Sequence, residues 1–220
     1  MSGDTRTLVA VHVPKTAGTT FREALVRAYG EALRVDKGDA PMAQSRWKRR
    51  TAALRQAATN AGHRSHKACI CGHFMPLKYS TLQQARFCVW LRDPVQRVLS
   101  RYHHYLRRAE IETVHWRWGL RPGLSLEQFV RVPQYQNTYA EYFWLFPLWR
   151  FDFIGIVEDY DTELERFARR FSLSADLRGE ARNINPEKAT RLYDVEPTME
   201  RLIRACNAKD VAIYERVRGA

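Results

Sequence analysis

Short continuous apolar segments alternate along the chain with longer stretches in which apolar residues recur at helical spacing. The apolar segments are Leu8–Val13, Ala68–Cys71 and Phe87–Leu91, and a further strand is predicted over Phe151–Val157, where Asp152 interrupts the apolar residues. Continuous apolar runs of this length predict strands that are buried on both faces of a sheet. Strands that alternate with helices favour an α/β fold with a mainly parallel sheet.

The helical stretches show apolar stripes. One stripe predicts a helix from Phe21, and it consists of Phe21, Ala24, Leu25, Ala28, Tyr29 and Ala32. A second helix is predicted after Asp93-Pro94, because these residues suit a helix N-cap and first turn. Its apolar stripe consists of Val95, Val98, Leu99, Tyr102 and Leu106. The polar residues Arg97, Ser100 and Arg101 lie off this stripe, on the predicted outward face. Further helices are predicted over Trp47–Ala58, after Ser125, and over Glu196–Val217 with a break near Asn207. No linker divides the chain, so we expect one domain over residues 1–220.

The segment between the first strand and the first helix carries candidate chemistry. Pro14 ends the strand because it cannot donate to a sheet ladder, and Lys15-Thr16-Ala17-Gly18-Thr19-Thr20 follows. A strand, a turn of small residues with a lysine, and a helix N-terminus aim backbone N–H groups at an anion. The loop therefore predicts a phosphate site.

The loop differs from the nucleotide-triphosphate loop GxxxxGK[ST]. Lys15 precedes Gly18, and no second glycine comes before the lysine. ATP hydrolysis and kinase activity are therefore disfavoured, and a kinase-like phosphotransferase stays as an alternative.

Composition narrows the class of protein. No segment approaches the roughly 20 apolar residues of a membrane span, and the N-terminal MSGDTRT has no apolar core of a signal peptide. Four cysteines without such a leader suggest reduced thiols. We expect a soluble, cytoplasmic protein with no transmembrane segment.

The net charge of +12 is concentrated in one part of the chain. Residues 40–109 hold 14 Lys and Arg against the single acid Asp93, whereas the other 150 residues have a net charge of −1. Such a field suits an anionic ligand or partner. A non-catalytic nucleic-acid-binding protein is an alternative, but no recognised nucleic-acid-binding module is present, so we do not expect nucleic acid as a partner.

A second phosphate site is predicted after the strand that ends at Leu91. Arg92 stands at the carboxyl end of this strand, and Ser100 lies about two turns along the following helix. An arginine and a hydroxyl in these places suit a phosphate. An ordinary capped junction with a surface serine is the alternative.

A metal site is a further alternative. The string of potential zinc ligands is His63, His66, Cys69, Cys71 and His73. Its spacing matches no common zinc module, and Cys69 and Cys71 flank Ile70 as buried apolar thiols do. We therefore predict no metal, and zinc stays as a minor alternative.

Several of these motifs resemble those of sulfotransferases. PKTAGTT after a strand is similar to their 5′-phosphosulfate loop, and LRDPVQRVLSRYHHY is similar to their 3′-phosphate segment. Gly72-His73 resembles the Gly-His that supplies the base in the heparan sulfate 2-O- and related uronyl sulfotransferases. FIGIVEDYDTELERF and NINPEK…NAKDVAIYE resemble later segments of these carbohydrate sulfotransferases.

The resemblance implies a P-loop-containing nucleoside triphosphate hydrolase-like three-layer fold, with a central mainly parallel sheet flanked by helices. It implies 3′-phosphoadenosine 5′-phosphosulfate (PAPS) as donor, 3′-phosphoadenosine 5′-phosphate (PAP) as product, and no metal. The acceptor would be a hydroxyl, in this family a sugar or glycan hydroxyl, and the basic surface is compatible with an anionic glycan.

The resemblance also assigns roles to residues. The 5′-phosphosulfate would be held by the backbone N–H groups of Thr16, Ala17, Gly18, Thr19 and Thr20, together with the Thr19 and Thr20 hydroxyls. Lys15 would neutralise charge on the leaving phosphate. His73 would be the general base, and Arg92 with Ser100 would bind the 3′-phosphate.

Overall fold

The computed structural model describes residues 6–108, 123–173, 177 and 192–219. NINPEK, part of the resemblance, lies outside these residues. The chain divides into two compact units. Unit 1 comprises Met1–Leu91 and Glu141–Asn183, and unit 2 comprises Arg92–Ala140 and Ile184–Ala220. One domain over residues 1–220 stays a prediction.

Unit 1 contains a five-stranded sheet in the order β2-β3-β1-β4-β5. The strands are β1 (Thr7–Val11), β2 (Leu33–Asp36), β3 (Cys69–Gly72), β4 (Ala85–Leu91) and β5 (Phe153–Ile156). Each neighbouring pair is parallel. The predicted α/β class with a mainly parallel sheet is confirmed. Three apolar runs form the buried inner strands β1, β3 and β4, and the segment that begins at Phe151 contains the edge strand β5.

Strand β2 was not predicted. It lies at the edge of the sheet, and only Asp36 among its residues is buried. An edge strand with exposed Arg34 and Val35 has no apolar run from which it could be recognised.

The core of unit 1 lies where helices α1 (Gly18–Tyr29) and α6 (Tyr160–Arg170) cover one face of the sheet. Phe21 and Phe167 meet edge to face, with ring centroids 5.0 Å apart. Helix α2 (Arg46–Asn60) begins at the N-cap Ser45. Its buried alanines form a separate small core with Met75 and Leu77.

Unit 2 is helical where the structure describes it. Its elements are α3 (Pro94–Arg108), α4 (Leu126–Val130), α7 (Pro197–Cys206) and α8 (Ala208–Arg218), while α5 (Thr138–Tyr142) begins in unit 2 and ends in unit 1. Three sequence predictions are confirmed here. Asp93 accepts a hydrogen bond from the Gln96 N–H at 3.0 Å, Ser125 forms a capping box with Gln128, and Asn207 separates α7 from α8.

The predicted outward face of α3 was partly wrong. Arg97 is 2% exposed and Ser100 is 8% exposed, whereas Leu106 is 46% exposed. Arg97 lies inside because its guanidinium reaches the buried Asp210 carboxylate, 3.3 Å away. A buried charge is stable there only with such a partner.

Candidate active site

The loop after β1 has an unusual backbone. Lys15 has φ 71° and Ala17 has φ 56°, both in the left-handed region that side chains other than glycine seldom adopt. The φ angles of Thr16 and Gly18 are not positive. Alternation of this kind turns successive N–H groups towards one point and forms an anion-binding nest. Each left-handed residue costs about 1–3 kcal/mol, which is typical of strain retained at a functional site.

Helix α1 presents its N-terminus at this nest. It begins at Gly18, earlier than the predicted Phe21, so Thr19 and Thr20 belong to its first turn. Ala17 at the N-cap provides no side-chain cap, and the first turn carries no acidic residue. The Phe21 N–H donates to the Ala17 carbonyl oxygen at 3.0 Å, and helix geometry leaves the preceding N–H groups without intrahelical acceptors. The positive end of the helix dipole is therefore directed at the same point.

Thr16 shapes the loop through its side chain. Its hydroxyl is buried and donates to the Val13 carbonyl oxygen at 2.9 Å. This bond ties the nest to the end of β1, so the Thr16 hydroxyl has an internal partner. The hydroxyls suited to a bound anion are those of Thr19 and Thr20, which are half-buried.

Gly18 is required by its surroundings. A Cβ atom at this position would lie 1.6 Å from Nε2 of His12 and 1.9 Å from Cδ2 of the same ring. No side chain fits at that distance, so the glycine lets the start of α1 lie directly against the imidazole of His12.

His73 lies beside the same imidazole. The His12 and His73 rings stack with centroids 3.9 Å apart and an angle of 25° between their planes. The Nδ1–H of His73 donates to the backbone carbonyl oxygen of His12 at 2.8 Å. A carbonyl only accepts hydrogen bonds, so a neutral His73 carries its proton on Nδ1 and its lone pair on Nε2. A neutral imidazole in this tautomer can accept a proton at Nε2, as a general base must.

Gly72 explains how His73 reaches this place. A Cβ at Gly72 would lie 2.2 Å from the backbone oxygen of Asp36 on the neighbouring strand β2. The glycine permits this close approach at the carboxyl end of β3, and His73 follows it directly.

His12 was missed as a site residue by sequence reasoning, because it lies within an apolar run that predicts a strand. Its backbone N–H donates to the Gly72 carbonyl oxygen at 2.9 Å. Burial, and then the positive charges of His73, Arg22 and Lys15, lower the pKa of His12 to about 3. His12 is therefore neutral at ordinary pH.

The structure does not bring the potential zinc ligands together into one site among the described residues. Cys69 and Cys71 are buried in the apolar core of unit 1, whereas His63 and His66 are exposed. Burial raises the pKa of Cys71 to about 12 and that of Cys69 well above its usual value, so both thiols stay protonated. Within the described ranges, no group of three or more His, Cys, Asp or Glu side chains is placed to hold a metal ion.

Arg92 and Ser100 lie in unit 2. Tyr139 holds the backbone of Arg92, since its hydroxyl accepts from the Arg92 N–H at 2.9 Å and donates to the Arg92 carbonyl oxygen at 2.7 Å. The Arg92 guanidinium lies 5.8 Å from the centroid of the Tyr193 ring. Ser100 is on α3 and is buried, contrary to the prediction of an outward-facing residue.

Part of the basic excess is neutralised inside unit 1. Lys78 is bound by Asp36 at 2.6 Å and by Asp39 at 2.7 Å. Arg86 is paired with Asp152 at 3.2 Å. These acids lie outside the basic segment in sequence, so its excess overstates the charge that faces solvent.

The chain is similar to known proteins in sequence family and in fold. A family model described as "Sulfotransferase family" matches residues 1–215. The crystal structure of a sulfotransferase from Alicyclobacillus acidocaldarius is similar, with a TM-score of 0.51, 15% sequence identity, and coverage of 96% of this chain and 95% of that chain. No curated protein matches the chain significantly. In the parts of the chain that the structure describes, no helix combines the length and apolarity needed to cross a membrane.

Proposed function

Because the chain belongs to the sulfotransferase family, we propose that it transfers a sulfuryl group from PAPS to a hydroxyl group of an acceptor. The observation that carries the proposal is the arrangement in unit 1. An anion nest at an uncapped helix N-terminus lies against His12, and His12 stacks on a histidine in the tautomer of a base.

The loop after β1 supplies the donor site in this proposal. Backbone N–H groups of residues 16–20, with the Thr19 and Thr20 hydroxyls, bind the 5′-phosphosulfate. The Thr16 hydroxyl acts indirectly, because it holds the loop through Val13. Lys15 offsets negative charge on the oxygen that links phosphate to sulfur as the S–O bond breaks.

His73 supplies the base. Its Nε2 takes the proton of the acceptor hydroxyl while the acceptor oxygen forms a bond to sulfur. The bond between sulfur and the 5′-phosphate oxygen breaks, and PAP leaves with that electron pair. The products are an acceptor sulfate ester, PAP and a proton on His73, so the charges balance without a metal.

Arg92 and Ser100 keep the role that the resemblance implies, which is contact with the 3′-phosphate. An arginine suits a phosphate because its planar donors match the phosphate oxygens. We propose a sugar hydroxyl as acceptor, in line with the resemblance to uronyl sulfotransferases. The four cysteines are free thiols, which fits a reducing compartment and is the basis for proposing a cytoplasmic location.

The test is a transfer assay with sulfur-labelled PAPS, a panel of glycans, lipids and phenols, and mass spectrometry of the products. We expect a sulfated product with PAPS and no phosphorylated product with ATP. His73→Ala should lower kcat by about 10²-fold, because it removes the base. The proposal requires a decrease of at least about tenfold. Exposed His66 provides a matched control, and His66→Ala should keep wild-type turnover. Transfer from ATP would refute the proposal, and full activity of His73→Ala would refute this base.

A further inference from the structure

We propose that His12 is a positioning residue, whose neutral ring holds the His73 imidazole in place and links it to the phosphosulfate loop at Gly18. This inference rests on the proposed function, since it assigns His12 a role in the same site. His12 belongs to none of the motifs that carry the resemblance in sequence.

The loop side of the link is a steric contact. The absent Cβ of Gly18 leaves a space that three atoms of the His12 ring occupy, at 1.6, 1.9 and 2.2 Å from where that Cβ would be. Helix α1 and the ring are therefore in direct contact. A shift in the first turn of α1, where a phosphosulfate would bind, must move the ring or be resisted by it.

The base side of the link has two parts. The stacked rings, 3.9 Å apart, fix the plane of the His73 imidazole. The His12 carbonyl oxygen, 2.8 Å from Nδ1, fixes its tautomer. A base held in this manner keeps Nε2 in one direction, and such orientation is a large part of what an enzyme contributes to proton transfer.

The charge of His12 suits the reaction. The titratable and charged groups that act on it are His73, Arg22 and Lys15, all of them cations when protonated, and together with burial they keep its pKa low. When His73 takes up the acceptor proton, a neutral aromatic face stabilises the new cation. A charged ring at the same distance would repel it.

The first experiment compares His12→Ala with His12→Phe, which keeps a flat neutral ring. We expect His12→Ala to lower kcat by at least about tenfold while the Kd for PAP changes less than about threefold. His12→Phe should retain at least about three times the kcat of His12→Ala. Equal kcat values in the two variants, or wild-type kcat in His12→Ala, would overturn the proposal.

The second experiment needs no turnover. Nitrogen-15 NMR of the His73 ring reports its tautomer in the wild type, in Gly18→Ala, in His12→Ala and in the double variant. Gly18→Ala should shift the His73 ring signals in the wild-type background, because the new Cβ displaces the His12 ring, and should leave them unshifted in His12→Ala, where the space is open. Identical shifts in both backgrounds would overturn the link. If Gly18→Ala and His12→Ala change the His73 ring signals additively in a protein that binds PAP and transfers sulfate, only this inference is refuted. Absence of both PAP binding and transfer refutes the proposed function instead, and the NMR result still stands.

Discussion

At the scale of single residues, Lys15 combines a charge with a strained backbone. Its left-handed φ of 71° places it in the turn that forms the nest, next to the proposed leaving phosphate. We predict that Lys15→Ala lowers kcat by about 10²-fold and at least tenfold, because a fixed cation that meets charge developing in the transition state is worth this much. Steady-state kinetics with PAPS, checked against circular dichroism, measures the effect.

The control for this prediction is Lys37→Ala, since Lys37 is an exposed lysine of the same unit. It should leave kcat within about twofold of wild type, as expected of a surface substitution. If Lys15→Ala instead keeps kcat and only raises KM, the lysine binds the donor equally well before and during the reaction, and the assigned role is wrong.

His12 makes stability depend on pH. Its pKa is about 3 in the folded state against 6.5 unfolded, so the unfolded chain binds more protons and folding weakens as pH falls from 6.5 towards 3. Between pH 7 and pH 5 we expect His12 to remove about 2 kcal/mol of unfolding free energy. Urea unfolding at the two pH values measures this.

The matched variant for this measurement is His12→Phe, which lacks the titrating group. Contributions from titrating groups that do not interact with His12, among them the buried Asp210, whose pKa burial raises, are common to both proteins and cancel in the comparison. If the wild type and His12→Phe lose the same stability between pH 7 and pH 5, the low pKa of His12 is wrong.

Residue identity yields a hypothesis for the chemistry of unit 1 but not for the residues that support it. Lysine, hydroxyls and a glycine after a strand predict an anion loop, and the resemblance at Gly72-His73 predicts a base. His12 gave no such signal, because a single histidine in an apolar run reads as a strand residue. Its role depends on the space above Gly18 and on a register between β1 and β3, which only the folded chain shows.

At the scale of elements, long apolar runs and capped helices were predictable, and weak or exposed elements were not. β1, β3, β4 and β5 follow from their apolar runs, whereas β2 has an exposed centre and takes its place by pairing with β3. Helix α3 was misread at Arg97, because periodicity assigns charged residues to the surface. Its partner Asp210 is 113 residues away in sequence.

The Arg97–Asp210 pair yields an element-scale prediction. Asp210 is fully buried and also accepts a hydrogen bond from the Ala140 N–H of α5 at 3.1 Å. Arg97→Met should lower the unfolding free energy by about 3–5 kcal/mol, because it leaves a carboxyl group buried without its cation. Denaturant unfolding monitored by circular dichroism provides the measurement.

The control is Arg131→Met, which breaks an exposed pair with Glu127 on α4 and should cost less than about 1 kcal/mol. Arg97→Met combined with Asp210→Asn should recover part of the loss, since no charge is then left buried. If Arg97→Met and Arg131→Met lower the unfolding free energy by the same amount, the buried pair stabilises the fold no more than the exposed pair, and the prediction is wrong.

At the scale of the whole molecule, the net charge of +12 has two parts with different consequences. Lys78, Arg86 and Arg97 are buried with acids from other parts of the sequence and serve the folded state. Lys48 and Arg55 of α2 are exposed and contribute to an external field that attracts anions. The charge pattern in sequence therefore fits an anionic substrate, and the buried pairs weaken the case for an extended nucleic-acid surface.

The 3′-phosphate provides a whole-molecule test of the donor, because a ligand that binds the folded state raises its melting temperature. At about 100 times its Kd, PAP should stabilise the protein by about 2.7 kcal/mol, which for a chain of this size corresponds to a Tm increase of roughly 5–10 °C. AMP lacks the 3′-phosphate and at the same concentration should raise Tm by less.

Arg92→Ala should reduce the Tm increase caused by PAP towards that caused by AMP. Arg107 is an exposed arginine on α3, and Arg107→Ala should keep the full increase. Equal shifts for PAP and AMP would contradict recognition of the 3′-phosphate, and a larger shift with ATP would return the chain to the nucleotide-triphosphate class that the order of Lys15 and Gly18 disfavours.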